Sequence, residues 1–205
     1  MGVLMTERPQ EIQATSDNWW CPPEEGWTYD QVKDVELPFD WELVDGVIVV
    51  RGQTPHWHDM VKGEIFRALS SAGPKAYAVR VETCVLVDER NVIKPDVVVF
   101  EKRGLDPFTM ECVPVASVRL AVEVVSPGSK RRDQWLKPAI LVEAGVPHYW
   151  RVERDRENLP VVHEYRIDPD TGAYIPAHEY AIHREKLSAE KPFPIDIDLR
   201  ALIEF

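Results

Sequence analysis

The chain has 205 residues, 44% of them hydrophobic and 29% charged, which is enough for one well-filled core and short for two full domains. A formal net charge of -11 excludes broad, non-specific adhesion to nucleic acid or acidic membranes, though not a local basic groove. No apolar run approaches the ~18 residues of a membrane span and no secretory leader pattern is present, so the expected compartment is the cytoplasm, with no membrane partner.

Residues 1–26 lack hydrophobic periodicity and read as a poorly ordered or loosely packed tail, followed by a single domain over 27–205. Thr28 with Gln31 has capping-box form and predicts a short helix to about Val35. Asp45-Gly46 between Trp41–Val44 and Val47–Val50 predicts a β-hairpin, because Asp-Gly supplies the two positive-φ positions of a type I′ turn. Residues 56–70 switch to helical spacing, with Val61, Ile65 and Leu69 on one stripe. Tyr77–Val87 and Val92–Phe100 each read as one strand, and residues 101–116 as a loop. Val118–Val152 reads as a buried strand, a turn at Ser126-Pro127-Gly128, a basic helix start, an amphipathic helix and a second buried strand. Terminal strands are expected around 161–167 and 174–180, with a further one between 193 and 203. The three cysteines, Cys21, Cys84 and Cys112, are far apart and odd in number, which predicts free thiols. The whole is a mixed α/β domain with at least two helices.

Two acids stand out. Glu123 lies inside Leu120-Ala-Val-Glu-Val-Val125, apolar on both faces, and Asp96 opens the equally apolar Val97–Phe100. Charged groups are rarely buried unless paired or bound to a metal. On a period of two, Ala121, Glu123 and Val125 share a face opposite Leu120, Val122 and Val124. Carboxylates from two neighbouring strands suit Mg²⁺, which accepts one or two of them and keeps several waters. The alternative is that each acid pairs with an arginine or caps a backbone amide. Lys130, Arg131, Arg132 and Lys137 follow directly, positioned to meet a phosphate or simply to face solvent. Pro138 places Lys137 at a helix boundary or bend. His56 and His58 do not share a helical face and are not read as a zinc pair. Glu42 shares a strand face with Val44, which leaves a salt bridge or a site role equally open.

Ile93-Lys-Pro95-Asp96-Val-Val-Val99 resembles the "PD" element of the PD-(D/E)XK nuclease superfamily, with Glu123-Val-Val125 where the (D/E)XK element belongs. More closely, the chain resembles that superfamily's large bacterial family of restriction-endonuclease-like proteins. The matching motifs are Trp41–Gly46, the helix from His58, Pro95-Asp96, Glu123–Pro127 with Asp133 and Lys137, and Ala144–Trp150. Val125 stands where the superfamily carries its lysine, and the resemblance makes Lys137 its counterpart. It covers a core over about 38–153 and implies a central four-to-five-stranded mixed sheet flanked by helices; the tail and the terminal β extension over 154–205 fall outside it. It also implies an endonuclease that hydrolyses DNA phosphodiester bonds with Mg²⁺, for which Mn²⁺ could substitute. Asp96 and Glu123 would hold the metal. Lys137 would position the nucleophile or stabilise the transition state, and Glu42 would orient water. His58, Lys130 and Arg131 would face metal shell or phosphate. A homodimer is expected, since two strand cuts need two sites. The competing expectation is an inert nuclease-fold module that binds nucleic acid or protein.

Overall fold

The computed structural model describes residues 12–128 and 132–204. The Gln31 side chain accepts the Thr28 backbone N–H at 2.8 Å and so opens α1 (Tyr29–Val32), which is shorter than its pattern suggested. Next come β1 (Trp41–Val44) and β2 (Val47–Val50), joined by Asp45 and Gly46 at φ 49° and 75°, as the Asp-Gly turn requires. Pro55 precedes α2 (His56–Ala72), which buries His58, Val61, Ile65 and Leu69 along one stripe. Then follow β3 (Tyr77–Val81), β4 (Val85–Asp88), β5 (Asn91–Ile93), β6 (Val97–Glu101), β7 (Val113–Pro114) and β8 (Val118–Val124). A single π-helical turn, Arg132–Leu136, runs into α3 (Lys137–Glu143). The chain ends with β9 (His148–Arg154), β10 (Pro160–Ile167), β11 (Tyr174–Pro176), β12 (Ile182–His183), β13 (Lys186–Ala189) and β14 (Ile195–Asp198).

Two sheets pack in layers. The larger has the order β11-β10-β9-β8-β6-β3, with β12 added to β10, and is mixed: β8 and β9 are parallel and their other neighbours antiparallel. Its core part, β9-β8-β6-β3, has the expected four strands, and the terminal β extension continues the same sheet past β9 to make seven. The smaller has the order β2-β1-β5-β4-β7. One face of the large sheet (Leu120, Val122, Val124, Trp150) is covered by α2 and by the β13–β14 hairpin. The opposite face (Ala121, Val98, Tyr149) meets the small sheet and Leu141 of α3. The far side of the small sheet is closed by Trp27, Val32 and Ala14. Within residues 12–26, Ala14 is buried and the Trp19 carbonyl accepts the Trp27 indole N–H at 3.0 Å.

The strands expected over 77–87 and 92–100 are each divided. Both cross from one sheet to the other, so β4 and β5 belong to the small sheet and β3 and β6 to the large one. Glu82, at φ 48°, makes the first crossing, and its amide donates to Pro95 O (3.1 Å) and Asp96 O (3.3 Å) in the second. Pro95 has no amide to continue a ladder, so β5 ends before it. The loop expected over 101–116 contains β7, whose parallel pairing with β4 (Val85↔Val113) has a covalent consequence. Cys84 and Cys112, each preceding a partner strand, come to a Cα separation of 4.8 Å and form a disulfide. The expectation of three free thiols is therefore corrected; Cys21 alone is free and exposed.

Candidate active site

The antiparallel register of β6 and β8 pairs Val97 with Val122, Val98 with Ala121 and Val99 with Leu120. One step further along that register, Asp96 falls opposite Glu123. Asp96 Oδ2 accepts the Val124 amide at 2.7 Å, which ties the acid to the strand that carries Glu123. The same oxygen accepts His58 Nε2–H at 3.0 Å, and Arg51 Nη2 lies 3.5 Å from Oδ1. Both acids are almost fully buried, at 3% and 1% exposure.

Lys137 reaches the site from α3. The preceding π-helical turn spends an extra residue and so turns the first residue of α3 inward. Pro138, the second residue of α3, lacks the N–H that would continue the ladder from the preceding π-helical turn, so the irregularity falls where the proline sets a helix boundary or bend. Buried Lys137 Nζ lies 2.9 Å from Glu42 Oε1, 3.0 Å from Glu123 Oε1 and 4.0 Å from Asp133 Oδ1. Glu42 Oε1 also accepts the Lys94 amide at 2.7 Å. One ammonium thus joins acids from β1, from β8 and from its own turn.

Burial pushes the Glu123 carboxyl well above its ordinary value; Lys137 opposes this, while Asp96, Asp133 and Glu42 add to it. Burial pushes Asp96 the same way, but the His58 hydrogen bond and the charges of His58 and Lys137 outweigh it and hold that carboxyl below the usual range. For Lys137, burial opposes the charged form, and the surrounding acids, Glu123 first, overcome it and raise its pKa. His58 follows the same logic: burial lowers it, and Asp96 raises it further.

These groups line a cleft of about 700 Å³, with Arg51, Arg132 and Glu82 at its walls. Asp96, Glu123, Glu42, Lys137 and His58, the described residues given site roles from sequence, all line it. His58 is placed by its Asp96 contact to orient that acid. Lys130 and Arg131, expected at substrate, lie outside the described residues. Arg51 was missed. It bridges Asp40, Glu82 and Asp96, with its side chain 13% exposed. The signal was available: Glu42 pairs with Val49, so Arg51, one period on, falls on the Glu42 face.

The buried donors suit a divalent cation. Among the described residues, four buried carboxylates (Glu42, Asp96, Glu123 and Asp133) gather around Lys137. All-oxygen, carboxylate-rich donors fit Mg²⁺ or Mn²⁺.

An acid before one core strand, a second acid inside its antiparallel neighbour and a buried lysine beside them, on a mixed sheet flanked by helices, define a restriction-endonuclease-like fold of the PD-(D/E)XK superfamily. Residues 28–201 match the model of the Uma2 family, described as "Putative restriction endonuclease", and the chain belongs to that family. Among solved structures it is similar to a "putative nuclease belonging to DUF820" from Anabaena variabilis, at 16% identity and a TM-score of 0.64, over 85% of this chain and 96% of that one. No curated protein matches the chain. Among the described residues, no helix is long and apolar enough to cross a membrane.

Proposed function

We propose that the protein is a divalent-metal-dependent endonuclease that hydrolyses DNA phosphodiester bonds. The observation that carries this reading is the convergence of Asp96, Glu123, Glu42 and Lys137 in one open cleft. Asp96 and Glu123 would hold Mg²⁺ or Mn²⁺. When bound, the cation supplies positive charge against the phosphate and makes an attacking water more acidic.

The chain's own residues do the rest. His58 and the Val124 amide fix the Asp96 carboxylate by two hydrogen bonds to one oxygen, leaving Oδ1 toward Arg51. Lys137 holds Glu42 and Glu123 together as a charged group and keeps a positive charge at the cleft floor, where charge developing on a phosphate is stabilised. Glu42, held by Lys137 and the Lys94 amide, is placed to orient a water. Arg51 and Arg132 give the acidic protein local positive charge at the cleft wall.

The test is nicking of supercoiled plasmid with Mg²⁺ or Mn²⁺ and with chelator. Cleavage should need the metal and should vanish in both Asp96→Asn and Glu123→Ala. Cleavage that survives both substitutions would sink the proposed site. Binding without cleavage under every metal condition would instead favour an inert nucleic-acid-binding module. A two-fold dimer would bring two clefts to the two strands, and the elution volume against concentration checks it.

A further inference from the structure

A second cluster of metal-ligating side chains lies away from the cleft, on the terminal β extension. Glu164 of β10 and His183 of β12 are buried, and His178, in the turn between β11 and β12, is 45% exposed. Both histidines approach the same atom: Glu164 Oε2 lies 3.1 Å from His183 Nε2 and 3.3 Å from His178 Nε2. The three ligand atoms are all within 4.8 Å of one another.

The backbone explains the convergence. The Glu164 amide donates to Ala181 O at 2.8 Å, and Glu164 O accepts the Ala177 amide at 3.0 Å. The 178–180 turn is therefore tied at both ends to the residue whose side chain it faces. Val162 and His163 pair with His183 and Ile182, which fixes β12 alongside.

We propose that Glu164, His178 and His183 form a zinc site, with water in the remaining position. Two imidazoles and one carboxylate are an accepted donor set for Zn²⁺, whose bonds of about 2.0–2.1 Å put tetrahedral ligand atoms roughly 3.3–3.5 Å apart. The two oxygen–nitrogen separations already stand close to that spacing. The site opens onto a cavity of about 420 Å³, which leaves an entry path. Arg166 and Lys191 line that cavity too; the Arg166 guanidinium is engaged with Ala177 O at 3.2 Å and Ile167 O at 3.3 Å. Without metal, both Nε2–H groups donate to the carboxylate. On loading, both rings give up the Nε2 proton and carry one on Nδ1 instead; at His178 this opens the contact in which the Tyr180 amide donates to Nδ1 at 3.1 Å. The ion would clip the exposed turn and β12 onto the sheet.

The test is titration of metal-free protein with Zn²⁺ by calorimetry and with Co²⁺ by visible absorption. Wild type should bind one Zn²⁺ at this site, show the strong visible bands of low-coordinate Co²⁺ and unfold at higher temperature with Zn²⁺. His183→Ala should lose these signals, and His178→Ala, at an exposed position, should weaken Zn²⁺ by tenfold or more. Asp96→Asn should keep them, which separates this site from the cleft. No Zn²⁺ uptake by wild type, or uptake unchanged in His178→Ala, would overturn the proposal and leave a hydrogen-bonded triad.

Discussion

Lys137 and Glu123 stand in unequal need of each other. Glu123 sits where its charged form is costly, whereas Lys137 has Glu42 and Asp133 as well. Glu123→Gln should therefore abolish metal-dependent cleavage and yet raise the unfolding temperature, by about 2–4 °C for each kcal/mol of relieved burial cost. Calorimetric melting alongside plasmid nicking measures both. Lys137→Met should do the opposite to stability. It strands buried acids without their ammonium and should cost about 3–5 kcal/mol in urea unfolding, besides abolishing cleavage. The acids were legible in the sequence because a charge inside an apolar strand is conspicuous. Lys137 was legible only through the family resemblance, since a basic run after a strand more often faces solvent. Arg51 becomes legible only when the two-residue Asp45-Gly46 turn is used to set the hairpin register, which puts it on the Glu42 face one residue past the end of β2.

At the scale of elements, Tyr149 of β9 and Tyr174 of β11 stack at 5.6 Å, with their hydroxyls donating to Asp133 O at 2.7 Å and Val146 O at 2.8 Å. Burial raises both phenols above their ordinary value. A raised tyrosine favours the folded state fully below the unfolded pKa of about 10 and loses that contribution as pH rises through the folded value. Stability should thus fall above about pH 10, and the part of the 295 nm tyrosinate absorbance that Tyr149→Phe and Tyr174→Phe remove should appear together with loss of the near-ultraviolet dichroism rather than before it. A second prediction concerns the hairpin turn. A Cβ on Gly46 would stand 2.9 Å from Gly26 Cα, at φ 75°, so Gly46→Ala should destabilise by more than about 1 kcal/mol and loosen Trp27, whose fluorescence reports it. The hairpin, α2, β8 and β9 were legible because turn chemistry and hydrophobic period are local. The crossings at Glu82 and Pro95 were not, because a strand passing between sheets keeps the same period of two. The two-residue β7 lay inside a stretch with loop composition, and without it nothing brings Cys112 to Cys84.

For the molecule as a whole, the Cys84–Cys112 bond closes a separation of 28 residues within the small sheet. Loop-entropy reasoning gives it about 3–4 kcal/mol, so reductant, or Cys84→Ser with Cys112→Ser, should lower the unfolding free energy by that order. Paired denaturant curves with and without reductant measure it. The cleft, by contrast, is assembled from places far apart along the chain: β1, the entry to β6, the end of β8 and the start of α3. Synthesis runs from the N-terminus, so Glu42, Asp96 and Glu123 all emerge before Lys137. A nascent or truncated chain ending short of α3 carries the acids without the ammonium that gathers them. Under the proposed chemistry such fragments cannot cut, and a nuclease made in the presence of DNA comes into force only once α3 has left the ribosome and docked.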